Sequence, residues 1–245
     1  MIKLIASDID GTLVENSTAV LHPEMFDLIR KLKQKGILFC AASGRQYQSI
    51  ANMFEPVKDD IIFLAENGAH IRYQGNDIAL VEMKREHIEE IVHTIRRENT
   101  DGDYIVSTND GSIMDTKNQE FIDLITYGYR NKFRLVEDVL AEDVPIIKVA
   151  AFQKGSIREL GESILIPAFS DKVKATMAGE EWVDYMDASV DKGDALKSIQ
   201  EYFHIKKEET IAFGDNSNDI GLLKAAGMCF AVETALDEVK AVATD

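Results

Sequence analysis

The sequence predicts an α/β fold, a parallel-sheet core with an α+β domain inserted in it, and three observations lead there. Short apolar runs alternate with helix-period segments over the first 65 residues, the pattern changes to hairpins and mixed short strands after Asn67-Gly68, and it returns from Lys192. Strictly alternating strand and helix points to parallel pairing, because a parallel partner is reached only through a crossover. At 245 residues the chain can bury one large core or two modest ones. We divide it into a core of residues 1–81 and 187–245 and an inserted domain of residues 82–186.

Residues 2–7 form a near-continuous apolar run, as a strand buried on both faces requires. Pro23 fits the first position of a helix on which Met25, Leu28, Ile29 and Leu32 share a face, and Gly36 ends it. Residues 37–42 make a second strand. After Ser43-Gly44-Arg45, the spacing of Tyr47, Ile50, Ala51 and Phe54 predicts a helix stopped by Pro56, and residues 61–65 make a third strand. Residues 70–73 and 78–81 read as a hairpin turning on Gly75-Asn76. In the insertion, Ile88, Ile91, Val92 and Ile95 line one face of a long helix whose Glu89 and Glu90 are solvated. Strands follow at 104–107, 112–114, 146–152, 173–177 and 182–186, with helices near 120–127 and 157–164. The return has a helix carrying Ala195, Leu196, Ile199, Tyr202 and Phe203, a strand at 210–213, a helix at 220–225 and a strand at 228–232.

Charge narrows the partners. Lys and Arg total 27 against 43 Asp and Glu, a net charge of -16, which argues against nucleic acid and against an anionic membrane surface. A phosphate ligand must then be held by local cations. Cys40 and Cys229 stand far apart in apolar segments without C-x-x-C spacing and read as buried free thiols. Residues 2–6 are too short for the apolar region of a secretion signal, and no apolar run approaches the roughly 18 residues of a membrane span. The expectation is a soluble cytoplasmic protein. His22, His70, His87, His93 and His204 make no metal-binding pattern.

Four segments carry candidate chemistry. Asp8-Ile9-Asp10-Gly11-Thr12-Leu13 begins as a calcium loop would, but the sixth and twelfth places from Asp8 hold Leu13 and Ala19 where Gly and Glu are required. The other reading is a nucleophilic carboxylate: Asp8 attacks phosphorus, Asp10 gives and takes the proton, and Mg²⁺ offsets the repulsion between anions. Positions i and i+2 of a strand face the same side, Gly11 lets the backbone turn away, and Thr12 is placed to orient Asp10. Ser43-Gly44 offers a hydroxyl and a free N–H at a helix start, suited to a phosphoryl oxygen or to an ordinary capped turn. Lys192-Gly193 puts a cation in a first helical turn, where the helix dipole disfavours it unless an anion is its partner. Gly214-Asp215-Asn216-Ser217-Asn218-Asp219 follows a strand and presents oxygen ligands suited to Mg²⁺, or simply a polar capping loop.

Taken in order, these segments resemble the four motifs of the haloacid dehalogenase superfamily. Glu66-Asn67-Gly68-Ala69, with the large insertion between the second and third motifs, is similar to its Cof-type branch of sugar-phosphate phosphatases. The resemblance implies a Rossmann-like core with a cap that closes over substrate. It implies Asp8 as nucleophile and Asp10 as acid and base. Asp8, the Asp10 backbone and Asp215 would hold Mg²⁺; the Ile9 N–H, Ser43, Gly44, Lys192 and Asn218 would bind the phosphoryl group. Asp219 would support the metal site or Lys192. From the cap, Tyr127, Tyr129 and Trp182 are candidates to line the sugar side, with core packing the alternative for Trp182. Dehalogenases resemble the first motif without its second aspartate, since no alcohol leaves.

The expected function is therefore Mg²⁺-dependent hydrolysis of a small phosphorylated metabolite, with a phosphomutase or a non-catalytic phospho-ligand sensor as the alternatives. No oligomeric state follows from the sequence. Two departures stand out. Residues 187–191 lack the Pro and Gly that this branch often carries there. Relatives also continue beyond a segment like 239–245 into another strand and helix, whose lack is expected to expose one sheet face and lower stability.

Overall fold

The computed structural model describes residues 1–14 and 20–244. Its elements are β1 (Leu4–Asp8), α1 (Pro23–Gln34), β2 (Leu38–Ala42), α2 (Tyr47–Met53), β3 (Ile61–Ala65), β4 (His70–Tyr73) and β5 (Asn76–Leu80), then α3 (Arg85–Glu98), β6 (Asp103–Thr108), β7 (Gly111–Met114), α4 (Gln119–Asp123), β8 (Phe133–Leu135), β9 (Ile146–Phe152), α5 (Arg158–Leu160), β10 (Val173–Met177) and β11 (Trp182–Asp187). The chain closes with α6 (Lys192–Tyr202), β12 (Thr210–Gly214), α7 (Ile220–Ala225), β13 (Met228–Ala231) and α8 (Asp237–Lys240). They form two compact units, Met1–Leu80 with Asp191–Asp245, and Val81–Val190.

The first unit is built on a seven-stranded sheet in the order β13-β12-β1-β2-β3-β4-β5. Its first five strands are parallel and the last two antiparallel. Alternation along the strands sorts the interior into two layers. Leu4, Ala6, Cys40, Ala42, Ile62, Leu64 and Ala212 pack with Leu196 and Ile199 of α6 and Leu222 and Leu223 of α7. Phe39, Ala41, Ile61 and Phe63 pack on the other face with Ile29 of α1, Ile50 of α2 and Phe54. Parallel strands end at a common edge, so the turns after β1, β2, β3 and β12 are neighbours. That is the edge at which open α/β sheets place their chemistry.

The β4–β5 hairpin turns on Gln74-Gly75 rather than Gly75-Asn76, with Tyr73 opposite Asn76. Both turn residues have positive φ, 50° at Gln74 and 77° at Gly75, as the tight turn that matches strand twist requires. β5 therefore starts at polar Asn76-Asp77, which apolar alternation does not mark. The two cysteines are free and buried, and burial pushes the Cys40 thiol up to about 12. At the far end, Val239 of α8 is fully buried, and the Thr244 N–H donates to the Cys229 carbonyl at 2.7 Å. The other face of these outer strands is less covered: Phe213 and Phe230 stack half-buried and Met228 is exposed.

The second unit has a six-stranded sheet, β10-β11-β9-β6-β7-β8, antiparallel except for β7 with β8. The apolar stripe of α3 packs on Val106, Val149, Ala151, Val183 and Tyr185. Phe121 and Ile125 cover Ile105, Ala150 and Phe152 on the opposite face. β8 is only three residues long and too short for periodicity to show. The helix expected near 120–127 is α4 continued by a π turn, Leu124–Gly128. Trp182 packs on Phe152 and donates its Nε1–H to Tyr129 Oη at 2.9 Å, while Tyr127 is exposed. Among the described residues no helix is long and apolar enough to cross a membrane.

Phe54 is fully buried between Phe39 and Phe63. Phe54→Ala is expected to lower the unfolding free energy by about 3–5 kcal/mol, read as an earlier midpoint in urea denaturation with an unchanged slope.

Candidate active site

Asp8 is the last residue of β1, on the sheet face that α6 covers, and it is 5 % exposed. α6 is started by Asp191, whose Oδ1 accepts from the N–H groups of Gly193 (2.7 Å) and Asp194 (3.3 Å). That cap fixes where the next residue points. Lys192, fully buried, donates from Nζ to Asp8 Oδ1 and to Asp219 Oδ1, both at 2.6 Å. A Cβ on Gly193 would stand 2.4 Å from the carbonyl oxygen of Gly221, so only glycine lets α6 and α7 approach this closely.

The loop after β12 is tied to itself and to β1. Asp219 Oδ2 accepts from the N–H groups of Asp215 (3.0 Å) and Asn216 (3.1 Å), so this side chain braces the loop with one oxygen and Lys192 with the other. Thr12 donates its hydroxyl to Asp215 Oδ1 at 2.8 Å; it orients Asp215, not Asp10. Gly11 makes that approach possible, with φ at +95° and a Cβ position only 2.2 Å from Asp215 Oδ2.

Asp10 lies in the tight turn after β1, where the Ile9 carbonyl accepts from the N–H groups of Thr12, Leu13 and Val14. Its carboxylate is gripped by Arg45, with Nε on Oδ2 at 2.8 Å and Nη2 on Oδ1 at 2.6 Å. Ser43, following β2, is buried and its Oγ accepts from the Arg45 N–H at 3.1 Å. The Asn67 N–H donates to the Ser43 carbonyl at 3.0 Å, and the Asn67 amide lies against Gly44. Asn218 donates from Nδ2 to Asn67 Oδ1 at 2.9 Å. The structure thus brings Asp8, Lys192, Asp215 and Asp219 into one cluster, with Thr12 on its edge. A chain of contacts joins Ser43, Gly44, Asn67 and Asn218, and Asp10 stands with Arg45.

One oxygen each from Asp8, Asp215 and Asp219 lies within 4.8 Å of the others, the sole such trio among the described residues. Three carboxylates face one ammonium, and Asp8 Oδ2 is buried with no hydrogen-bond partner. Burial pushes Asp8 up to about 7, against the pull of Lys192 and with the repulsion of Asp219 and Asp215 adding to it. Burial likewise raises Asp215. Burial alone would lower Lys192, but Asp8 and Asp219 outweigh it and hold the ammonium protonated above its ordinary value. An orphaned buried oxygen amid excess negative charge suits a hard divalent cation with oxygen ligands. Asp8 and Asp215 have the oxygens to offer; both oxygens of Asp219 are engaged.

This geometry coincides with a family. Residues 5–245 match the model of the haloacid dehalogenase-like hydrolases, and the chain belongs to that family. Among its relatives, the 5-amino-6-(5-phospho-D-ribitylamino)uracil phosphatase YbjI of Escherichia coli is 26% identical over 244 residues, covering 99% of this chain and 89% of that one. The phosphatase YwtE of Bacillus subtilis, named for the same compound, is 26% identical over 268 residues, with 99% and 91% covered. A solved structure from Eubacterium rectale superposes with a TM-score of 0.90 at 34% identity, with 99% and 92% covered. The protein is an enzyme of the phosphatase class.

Arg45 and Asn67 were not among the site residues read from the sequence, although both sit in quoted motifs. The signal was present as position, two residues after Ser43 and directly before Gly68, but not as partnership.

A group whose folded value exceeds its unfolded one binds more protons when folded, so its contribution to stability is lost as pH rises between the two values. For metal-free Asp8 that window runs from 3.8 to about 7. In chelator, the melting temperature of Asp8→Asn relative to the unsubstituted protein is expected to climb from about pH 4 to about pH 7. A difference that stays flat in thermal scans across that range contradicts the assignment. Gly11→Ala, which drives a methyl into Asp215 at a positive-φ position, is expected to lower the unfolding free energy by about 1–3 kcal/mol, read as an earlier midpoint in urea denaturation.

Proposed function

We propose that this protein hydrolyses small phosphate monoesters with Mg²⁺ through a covalent aspartyl-phosphate on Asp8. The observation that carries the reading is the buried Asp8 carboxylate, one oxygen held by Lys192 and the other unpartnered beside Asp215. An anchored oxygen fixes the orientation of the free one, which is what in-line attack needs. Asp8 Oδ2 forms the bond to phosphorus as the bond to the ester oxygen breaks, and Asp10 gives that oxygen its proton. Asp10 then takes a proton from the water that attacks phosphorus, and the bond to Asp8 breaks to release inorganic phosphate. Asp215, the Asp10 carbonyl and the Asp8 oxygen that does not attack would hold Mg²⁺, which would supply charge neutralisation for the two approaching anions.

The Ile9 N–H, Ser43, Gly44, Lys192 and Asn218 are assigned to the transferred phosphoryl oxygens, with Lys192 as the cation the acidic composition otherwise lacks. Asp219 keeps Lys192 aimed and the β12 loop closed, and Thr12 keeps Asp215 aimed. Residues 82–186 are assigned the part of a cap that selects the leaving group. Two relatives are named as phosphatases of a phosphorylated ribityl compound, and sugar and polyol phosphates are the substrate class we infer. Buried free thiols fit a reducing cytoplasmic setting.

Asp8→Asn keeps the shape and removes the nucleophile. It is expected to lower phosphate release by a factor on the order of 10⁴ or more across a panel of sugar and polyol phosphates that includes 5-amino-6-(5-phospho-D-ribitylamino)uracil. Chelation should silence the unsubstituted enzyme and Mg²⁺ restore it. Metal-dependent turnover by Asp8→Asn at the normal rate would sink the mechanism.

A further inference from the structure

We propose that Arg45 is the positioning residue for proton transfer, holding the Asp10 carboxylate at the angle from which it serves the leaving oxygen. The inference rests on the reading of Asp10 given above. Arg45 and Asp10 are 35 positions apart in the chain, and each is fixed from its own side. The turn carrying Asp10 is locked by three N–H groups on the Ile9 carbonyl. Arg45 is anchored through its main chain, its N–H on Ser43 Oγ at 3.1 Å and its carbonyl accepting from the Glu66 N–H at 3.0 Å. Nη1 rests on Met53 Sδ at 3.6 Å. Between these anchors the guanidinium meets both carboxylate oxygens in a planar fork, side chains only 22% and 30% exposed.

A surface ion pair held by two flexible arms would contribute little. This one has neither arm free at its base. The fork also suits a residue that must work with one oxygen at a time. When one Asp10 oxygen turns to the leaving group with its proton, the other can keep its bond to Arg45, so the carboxyl pivots about a fixed point instead of swinging loose. The proton passes from Asp10 to the departing oxygen and returns from the attacking water, and Arg45 exchanges none. Thr12, the residue the sequence offered for this duty, is engaged by Asp215, and among the described residues no other cationic side chain meets Asp10.

The test separates proton transfer from general damage by varying how much the leaving group needs a proton. Phenyl phosphate and p-nitrophenyl phosphate are similar in shape, but p-nitrophenolate departs readily without one. For Arg45→Gln, kcat/KM is expected to fall roughly ten- to a hundredfold more on phenyl phosphate than on p-nitrophenyl phosphate. Arg45→Lys, which keeps the charge and loses the fork, is expected to show the same imbalance, and it decides the matter if Arg45→Gln does not fold. Equal losses on both esters overturn the inference. Asp10→Asn, measured alongside, keeps two failures apart. If Asp10→Asn shows the imbalance and the Arg45 variants do not, Arg45 has no positioning role. If Asp10→Asn shows none, the acid–base reading of Asp10 itself falls.

Discussion

The first unit is organised around one ammonium taken wholly out of water. Lys192 Nζ bridges Asp8 and Asp219 at 2.6 Å each, with its side chain fully buried. Removing such a group from water costs several kcal/mol, and the cost is recovered only when its partners are fixed in good geometry. The partners here come from β1 and from the start of α7, and the lysine from the start of α6. Three elements must therefore meet within hydrogen-bonding distance, and much of the local sequence serves that meeting. Asp191 caps α6 so that Lys192 faces inward, and Gly193 removes the side chain that would hold α6 off α7. Asp219 is pinned through its second oxygen to the loop it belongs to.

The same ammonium explains why the site is left wanting a further cation. One positive charge cannot neutralise three clustered carboxylates, and the unmet share falls on Asp8, whose second oxygen has no partner and which burial pushes up to about 7. A core arranged only for stability would have replaced such a group with an apolar one, since a buried charge lacking full compensation weakens the fold. Retaining it makes sense when a divalent ion and an anionic phosphoryl group complete the balance. On the proposed reading, the destabilisation of the unfilled site and its affinity for a divalent ion are two sides of one free energy.

Much of this was legible in the chain because the relevant signals are local. Apolar runs at 2–7, 37–42 and 61–65 marked three of the parallel strands, and a cation in a first helical turn at Lys192 was visible as a residue in the wrong place unless an anion waited for it. What stayed hidden are the partnerships that only folding creates. Thr12 lies two residues from Asp10 and 203 from Asp215, and sequence distance favoured the wrong partner. Arg45 was read as the tail of a phosphate-binding turn, since nothing in its neighbourhood shows that the turn after β1 stands beside it. The Gln74-Gly75 turn was missed by one residue because Gln accepts a left-handed φ there, and composition gives Gln no such preference.

Two carboxylates separated by one residue thus end in different surroundings, and the difference comes from which cation each one meets. Asp8 is drawn under α6 to a compact ammonium, 5 % exposed, where one oxygen is spent and the other is aimed. Asp10 is carried out by the turn at Gly11 to a planar guanidinium, its side chain 30% exposed. An ammonium on one oxygen leaves a rigid group with its second oxygen free, which suits attack on phosphorus. A fork on both oxygens leaves a group that can release either and still be held, which suits passing a proton out and taking one back. On the reading proposed for Asp8 and Asp10, the pairing of Lys with the first aspartate and Arg with the second fits those two demands, since a point charge and a planar fork are not interchangeable.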